Sequence, residues 1–436
     1  MAKKGTYHGP FFSALCQRLH GTPIRFGVLI GSQAEDSLGD LVFAAPTPPQ
    51  PGEDGQPAAP PKDVTALLKS SQGGVLFTDW AAQHATTLRK LLPGGLEPLG
   101  FFVVASEAGA RDLAPLLVPV LQGFTEPMVL TIDPTSRKLS FWQFSGGAKP
   151  ALRPAQMKAD SYKENLLLWC STSIDVVLPR TSRSSPEVES RDLEMDALAA
   201  DLRRSLAESL RGPLAVAPCG TAAAALQVID LQSEVDLSSA VPKGCQELRV
   251  AFLRHGSDLV QLPNPEGRPL IRQRCLIVST VLMLRRSVEL RRAVQLLQED
   301  MVSSAVERLL VAMDEDECVP SRAQVALPWR ALCRPHDLDL PLWCGDYCMP
   351  DETSSAAMER LGQLLGLPED RFEEAPEHLS ERGLLSSQHE GTYGPLPEHD
   401  KPEMTSTPKA FGSSHLACGA AVAALVAALC IPMLIR

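Results

Sequence analysis

The chain has 436 residues, 44% of them hydrophobic and 21% charged, enough for two or three domains with proper cores. Its formal net charge of −11 argues against nucleic-acid binding, which needs a basic face. The eleven cysteines are scattered and are expected as free thiols, not as a disulfide framework.

The first residues, MAKKGTYHGPFFSALCQRLHG, carry Lys3 and Lys4 but no continuous apolar region behind them, so they make a poor signal peptide. Ala2 argues against N-myristoylation. Asn165 and Asn264 begin Asn-Leu-Leu and Asn-Pro-Glu, neither of which is a glycosylation acceptor. Together these features predict a body that stays in the cytosol.

From Ile24 to Ala45, FGVLIG and LVFAAP flank a polar turn and predict a β-hairpin. Pro46 to Pro61 is too proline-rich for sheet or helix and is expected as a surface loop. A helix is predicted from Asp79, as N-cap, to Leu92, with Trp80, His84, Leu88, Leu91 and Leu92 on one face. His84 on that apolar face is expected to be a hydrogen-bonded core histidine. LGFFVVAS (Leu99 to Ser106) predicts a buried central strand. ARDLAPLLVPVLQG predicts a helix broken by Pro115 and Pro119, and PMVLTIDPTSRKLSFWQF a hairpin turning at Asp133-Pro134. A compact α/β domain over residues 1–180 follows.

Thr181 to Ser190 is a polar linker. A second α/β domain is expected over 191–367, with helices at Asp192 to Leu210, Val288 to Met313 and Ser355 to Leu367 and strands at Glu247 to Leu253 and Arg274 to Leu284. Asp314 to Glu317 is expected as an acidic turn. Residues 368–414, rich in Glu, Pro, Ser and His, predict a flexible, disordered stalk.

Leu416 to Ile435 is an uncharged run of twenty residues, seven of them alanine. A helix of that length spans roughly 30 Å, about one bilayer core. It predicts one C-terminal transmembrane helix, a tail anchor in the endoplasmic reticulum membrane with the bulk of the chain in the cytosol. Gly419, Ala423 and Ala427 recur every fourth residue and offer a face for another membrane helix, although a lipid-facing helix is the simpler expectation.

Few residues here suggest chemistry. FGVLIGSQ lacks the glycine spacing and the Lys-Ser/Thr of a phosphate loop. Cys333, His336, Cys344 and Cys348 are loosely spaced for zinc, and packing is the expected role. Cys219 in APCGTAAAAL has no evident histidine partner and is read as a small buried residue. Arg285, Arg286, Arg291 and Arg292 form a basic patch, a solvated helix face or a docking point for an acidic partner.

The succession FGVLIG, helix, GFFVVAS, VLTIDP resembles the MPN fold of the JAMM metalloproteases. That resemblance implies a Gly-aromatic-aromatic-His-Ser-His strand whose histidines hold zinc. Here Val103 and Ala105 stand where the histidines would, and neither can coordinate a metal. No metal and no other cofactor is expected, and the domain is expected to be a catalytically dead scaffold.

More specifically, FGVLIG…DLVFAAPTPP, DWAAQHATTLRKLLPGGLEPLGFFVVAS, RQRCLIVSTVLMLRRSVELRRAVQLLQEDMVSSAVERL and GDYCMPDE, with the terminal apolar run, resemble the odorant-response-abnormal family of receptor-trafficking factors. The chain departs from that family in its proline content and in Cys348 of WCGDYC. The resemblance implies a single-span adaptor at the endoplasmic reticulum that assists G-protein-coupled receptors of odorant type and recruits the ubiquitin-fold-modifier protease. Arg285, Arg286, Arg291, Arg292, Asp346 and Tyr347 are the candidate partner contacts. The alternatives are a cysteine-dependent hydrolase and a membrane scaffold without receptor clients.

Overall fold

Continuous apolar runs, not alternating ones, mark strands covered on both faces, and the middle of this chain is built from them. The computed structural model describes residues 4–19, 25–33, 38–51, 61, 63–72, 74–146, 149–179, 188–210, 214–218, 227–229, 241, 245–252, 259–262, 270–285, 288–318, 327–336 and 338–382. In chain order the elements begin with β1 (Lys4–His8), α1 (Gly9–Arg18), β2 (Phe26–Ser32), β3 (Asp40–Pro46) and α2 (Val64–Leu68). The small hairpin β4 (Ser71–Gln72) and β5 (Val75–Leu76) leads into α3 (Phe77–Leu91) and β6 (Glu97–Val104). Then come α4 (Glu107–Asp112), α5 (Ala114–Leu121), β7 (Met128–Ile132), β8 (Leu139–Ser145), β9 (Ala151–Pro154), β10 (Gln156–Asp160) and β11 (Leu166–Pro179). The remainder is α6 (Val188–Ser209), β12 (Leu214–Pro218), β13 (Gln227–Ile229), β14 (Glu247–Phe252), β15 (Leu259–Gln261), β16 (Leu270–Met283), α7 (Leu290–Cys318), β17 (Trp329–Pro335), β18 (Cys344–Cys348), α8 (Ser354–Leu365) and β19 (Phe372–Glu374).

The first sheet has eight strands in the order β10-β1-β3-β2-β6-β7-β8-β9. The expected hairpin is β2 against β3, antiparallel, and the expected central strand is β6, held between β2 and β7 with Phe101, Phe102 and Val103 fully buried. Gly100 has φ +152°, and a Cβ there would lie 1.8 Å from the Met128 carbonyl oxygen, so only glycine lets β6 approach β7 at this point. At the β7–β8 turn Asp133 accepts the backbone N–H groups of Thr135 and Ser136 at 3.0 and 2.7 Å, which hold its carboxyl below the usual range. Asp79 lies inside the first turn of α3, where its charge suits the helix dipole, and Leu76 occupies the cap position. Pro119 is accommodated inside α5, and Pro115 falls in its first turn, where no intrahelical N–H is needed.

The second sheet is organised by β11, fourteen residues long. One edge pairs along its whole length with antiparallel β16, while β14 and β15 share the other edge. The chain therefore leaves the first sheet between Asp160 and Leu166, ahead of the polar linker. One face of this sheet packs on α6 and α7. The opposite face, through Trp169 and Val278, meets Leu332, Trp343, Ala375 and Leu379.

The stretch after α7 forms a third, three-stranded sheet, β18-β17-β19. Its apolar residues, with Ala357, Leu361 and Leu365 of α8, join the first core. The described residues 4–382 accordingly belong to one compact unit. Two expectations are corrected here. Asp314 to Glu317 continue α7 instead of turning, because no glycine or proline interrupts the helix before Pro320. Residues 368–382 are not stalk: Glu369–Arg371 is a 3-10 turn, Phe372–Glu374 is β19, and Leu379 and Glu381 are 1% exposed. The rest of the expected stalk, and Leu416 to Ile435 with it, lies outside the described residues. Among the described residues no helix is long and apolar enough to cross a membrane.

The junction of these layers is polar. The Glu381 carboxylate accepts the backbone N–H of Val278 (β16) at 2.9 Å, the backbone N–H of Arg330 (β17) at 2.8 Å and the Arg308 guanidinium (α7) at 2.7 Å. Arg308 also donates to the Leu276 carbonyl oxygen at 2.9 Å. Arg330 makes a two-pronged contact with Asp300 at 2.8 and 3.2 Å. Removing one partner of a buried ion pair strands the other charge and costs roughly 3–5 kcal/mol. Glu381→Gln is expected to lower unfolding stability by about 3 kcal/mol in urea titration, whereas the apolar pair Arg308→Met with Glu381→Leu recovers a measurable part of that loss.

Candidate functional site

The strand that the metalloprotease resemblance singled out is a packing element. Val103 sits within β6 with no exposed surface, opposite Phe26 on β2 and Thr131 on β7. Ala105 follows the strand, donates its N–H to the Ile132 carbonyl at 3.1 Å and rests against the first core. Neither offers a donor atom. The carboxylates nearby are exposed, and Glu107 is paired with Lys138 at 3.0 Å. The residues present do not fit a catalytic zinc.

His84 projects from α3 into the core, where it faces the Leu364 carbonyl oxygen at 2.8 Å through Nε2. Burial lowers its pKa from 6.5 to about 4, only partly offset by that contact. The ring is therefore neutral at pH 7, and Nε2–H is the donor. It ties the first sheet's main helix to α8, as a core histidine should.

Cys333 and Cys344 face each other across β17 and β18. Burial pushes the Cys344 thiol to about 12 and Cys348 to about 11, and drives Cys333 higher, with Cys344 adding to the rise. His336 is half-exposed and its Nδ1 lies 3.6 Å from the Glu373 carboxylate. Among the described residues no cluster of His, Cys, Asp and Glu could hold a metal ion. Buried, protonated thiols are poor nucleophiles as well as poor ligands. Cys219 lies outside the described residues.

The Gly-Asp-Tyr-Cys segment of β18 proves to be a structural hub. A Cβ on Gly345 would lie 2.2 Å from Nε of Arg330, so glycine clears the path by which Arg330 reaches Asp300. Asp346 accepts from Arg360 of α8 at 2.6 Å, while burial raises its carboxyl and Arg360 partly counters the rise. Arg360 also reaches Glu352 at 3.0 Å and the Tyr347 carbonyl at 2.9 Å, so one guanidinium closes the loop between β18 and α8. Burial raises the Tyr347 hydroxyl too. Asp346 and Tyr347 thus serve the fold first.

The basic patch is divided. Arg285 binds Asp40 at 2.8 Å and the Thr6 hydroxyl at 2.9 Å, joining the end of β16 to the first sheet. Arg291 is exposed on α7, Arg292 is exposed beside Glu299 at 3.8 Å, and Arg286 lies outside the described residues. Sequence reasoning missed a groove of about 650 Å³ lined by β1, β8, β10 and Glu107. Its strands β1, β9 and β10 are short and weakly patterned, so no periodic signal marked them.

Residues 27–210 match the ODR4-like family model, odorant response abnormal 4-like. A protein odr-4 homolog of Xenopus tropicalis is 26% identical over 188 residues, covering 36% of this chain and 37% of that one. The Mus musculus protein odr-4 homolog is 24% identical over 196 residues, 40% of this chain and 41% of its own length. The matched parts span less than half of these curated relatives. A crystal structure of UfSP from C. elegans superposes with a TM-score of 0.41 at 10% identity, covering 84% of this chain and 57% of that one. The resemblance to the odorant-response-abnormal family is borne out over residues 27–210; the β16–α7 stretch and GDYCMPDE lie beyond the matched residues.

Two measurements test the residues described above. Below its ordinary pKa an unfolded His84 takes up a proton that the folded one refuses until about pH 4. The chain is therefore expected to lose stability as pH falls from about 6.5 to 4, by on the order of 3 kcal/mol from this group. His84→Leu should flatten that slope in urea unfolding. Cys333 and Cys344 are expected to resist iodoacetamide at pH 8 in the native protein and to react fully in urea, as read by mass spectrometry.

Proposed function

We propose that this chain, an ODR4-like protein over residues 27–210, is a membrane-anchored adaptor for receptor trafficking and works by recruitment instead of catalysis. The observation that carries the reading is the family match. Three further features support it: the uncharged run Leu416 to Ile435, the ligand-free side chains of Val103 and Ala105, and the buried, protonated thiols of the third sheet.

In this reading the MPN-like first domain is a scaffold that has lost its hydrolase chemistry. The folded body faces the cytosol at the endoplasmic reticulum and binds the ubiquitin-fold-modifier protease. The apolar run holds the assembly beside client receptors of the odorant-receptor type. Anchoring raises the partner's effective concentration at the membrane without any new contact with the client.

The test is co-purification from microsomes. The full-length chain is expected to bring down the modifier-specific protease and to stay membrane-bound in alkaline carbonate. Deleting 416–435 should release both from the membrane while leaving them bound to each other. Absence of the protease from the pull-down, or metal-dependent isopeptidase activity in the purified chain, overturns the reading.

A further inference from the structure

The eight-stranded sheet curls until its two ends approach each other, but it does not close. The chain crosses from one end to the other at Ala155, between β9 and β10, where the Ala155 N–H bonds the Phe141 carbonyl at 2.8 Å. Away from that crossing two strand edges stay open. β9 pairs with β8 from Trp142 to Ser145 and the Ala155 N–H covers Phe141, so on that side the edge is open only at Leu139 and Ser140. Among the described residues β10 pairs only with β1, leaving its outer edge free from Gln156 to Asp160. Both edges line the same groove of about 650 Å³.

The groove's chemistry is two-sided. Tyr7, Phe141, Trp142 and Met157 give it apolar walls, with the Tyr7 and Phe141 rings 4.8 Å apart. Lys4 and Lys158 stand exposed at the rim, and neither is paired with a carboxylate among the described residues. Glu107, the acidic group on the lining, is already neutralised by Lys138. In a chain of net charge −11 this seam is locally basic.

We propose that this seam is a docking site for an extended, acidic segment of a partner protein. The segment would enter as an added strand and pair its backbone with the free outer edge of β10. Alternate residues of a strand point to opposite faces, so one set would be aliphatic, against Tyr7, Phe141 and Met157. The other set would be carboxylates, meeting Lys4 and Lys158. Main-chain bonds supply affinity in such strand addition, and alternate side chains supply selectivity. The site lies within residues 4–158 and does not depend on the membrane reading.

The experiment uses the full-length chain in detergent micelles and three fluorescein-labelled peptides of about eight residues, the length of an ordinary strand. One alternates Glu and Val, one alternates Lys and Val, and the third is the Glu-Val peptide N-methylated at alternate amides, which removes strand hydrogen bonds without touching the protein. Fluorescence anisotropy at low salt should show saturable binding of the first peptide. The other two are expected to bind at least about tenfold more weakly, and added salt should weaken the first. The variant Lys4→Glu with Lys158→Glu, both exposed, should keep the wild-type melting temperature and reverse the preference between the Glu and Lys peptides. Equal binding of the Glu-Val peptide before and after N-methylation, unchanged selectivity in the variant, or no saturable binding at all overturns the proposal.

Discussion

One buried carboxylate holds the layers of this protein together. Glu381 has 1% of its surface exposed and accepts hydrogen bonds from a strand of the second sheet, a strand of the third and the guanidinium of Arg308 on α7. An isolated charge at this depth would not survive its desolvation, and burial likewise opposes the charges of Arg308 and Arg330. Surrounding acidic groups nonetheless hold both arginines above their ordinary range. The knot also settles an edge problem. β16 pairs with β11 on one side, and on the other its Val278 N–H and Leu276 carbonyl are satisfied by Glu381 and Arg308. An apolar contact would not discriminate registers here; a carboxylate with three defined donors does.

This architecture explains which parts were legible in the residues. β2, β3, β6 and β7 were readable because their burial is dictated locally, by unbroken apolar runs separated by Gly, Asp and Pro, and β8 through the alternation that buries Trp142 and Phe144. α3 and α8 showed helical spacing for the same reason. What stayed hidden depends on partners far along the chain. The segment 368–382 reads as polar stalk because its anchors are few, Phe372, Ala375, Leu379 and Glu381, and three of those four pack on residues from β11, β16, β17 or α7. β11 looked like the end of a first domain, yet its two faces are covered by elements drawn from later in the chain.

The glycines and acids of the recognisable motifs have a similar lesson. Gly100 precedes the aromatic pair of β6, at a point where the metalloprotease resemblance invites a catalytic reading. Its φ and its approach to Met128 account for it entirely through strand packing. Gly345 and Asp346, in the segment most suggestive of a partner contact, are occupied with Arg330 and Arg360. A motif of special residues therefore marks a geometric demand, and only the surroundings tell whether the demand is chemical or architectural.

Placing the fold's last knot at Glu381 also bears on how an anchored adaptor would carry load. In the proposed reading, any pull from a membrane attachment beyond residue 382 arrives first at Glu381, then at the turn Glu377–Leu379 and at β19. Those elements are short. The body holds them through the three donors of Glu381, the backbone pairing of β19 with β17 and the Arg334–Glu373 and His378–Glu247 contacts. The apolar side chains of Phe372, Ala375 and Leu379 complete that hold. A chain tethered there would transmit force into the third sheet, which packs on both the first core and the second sheet.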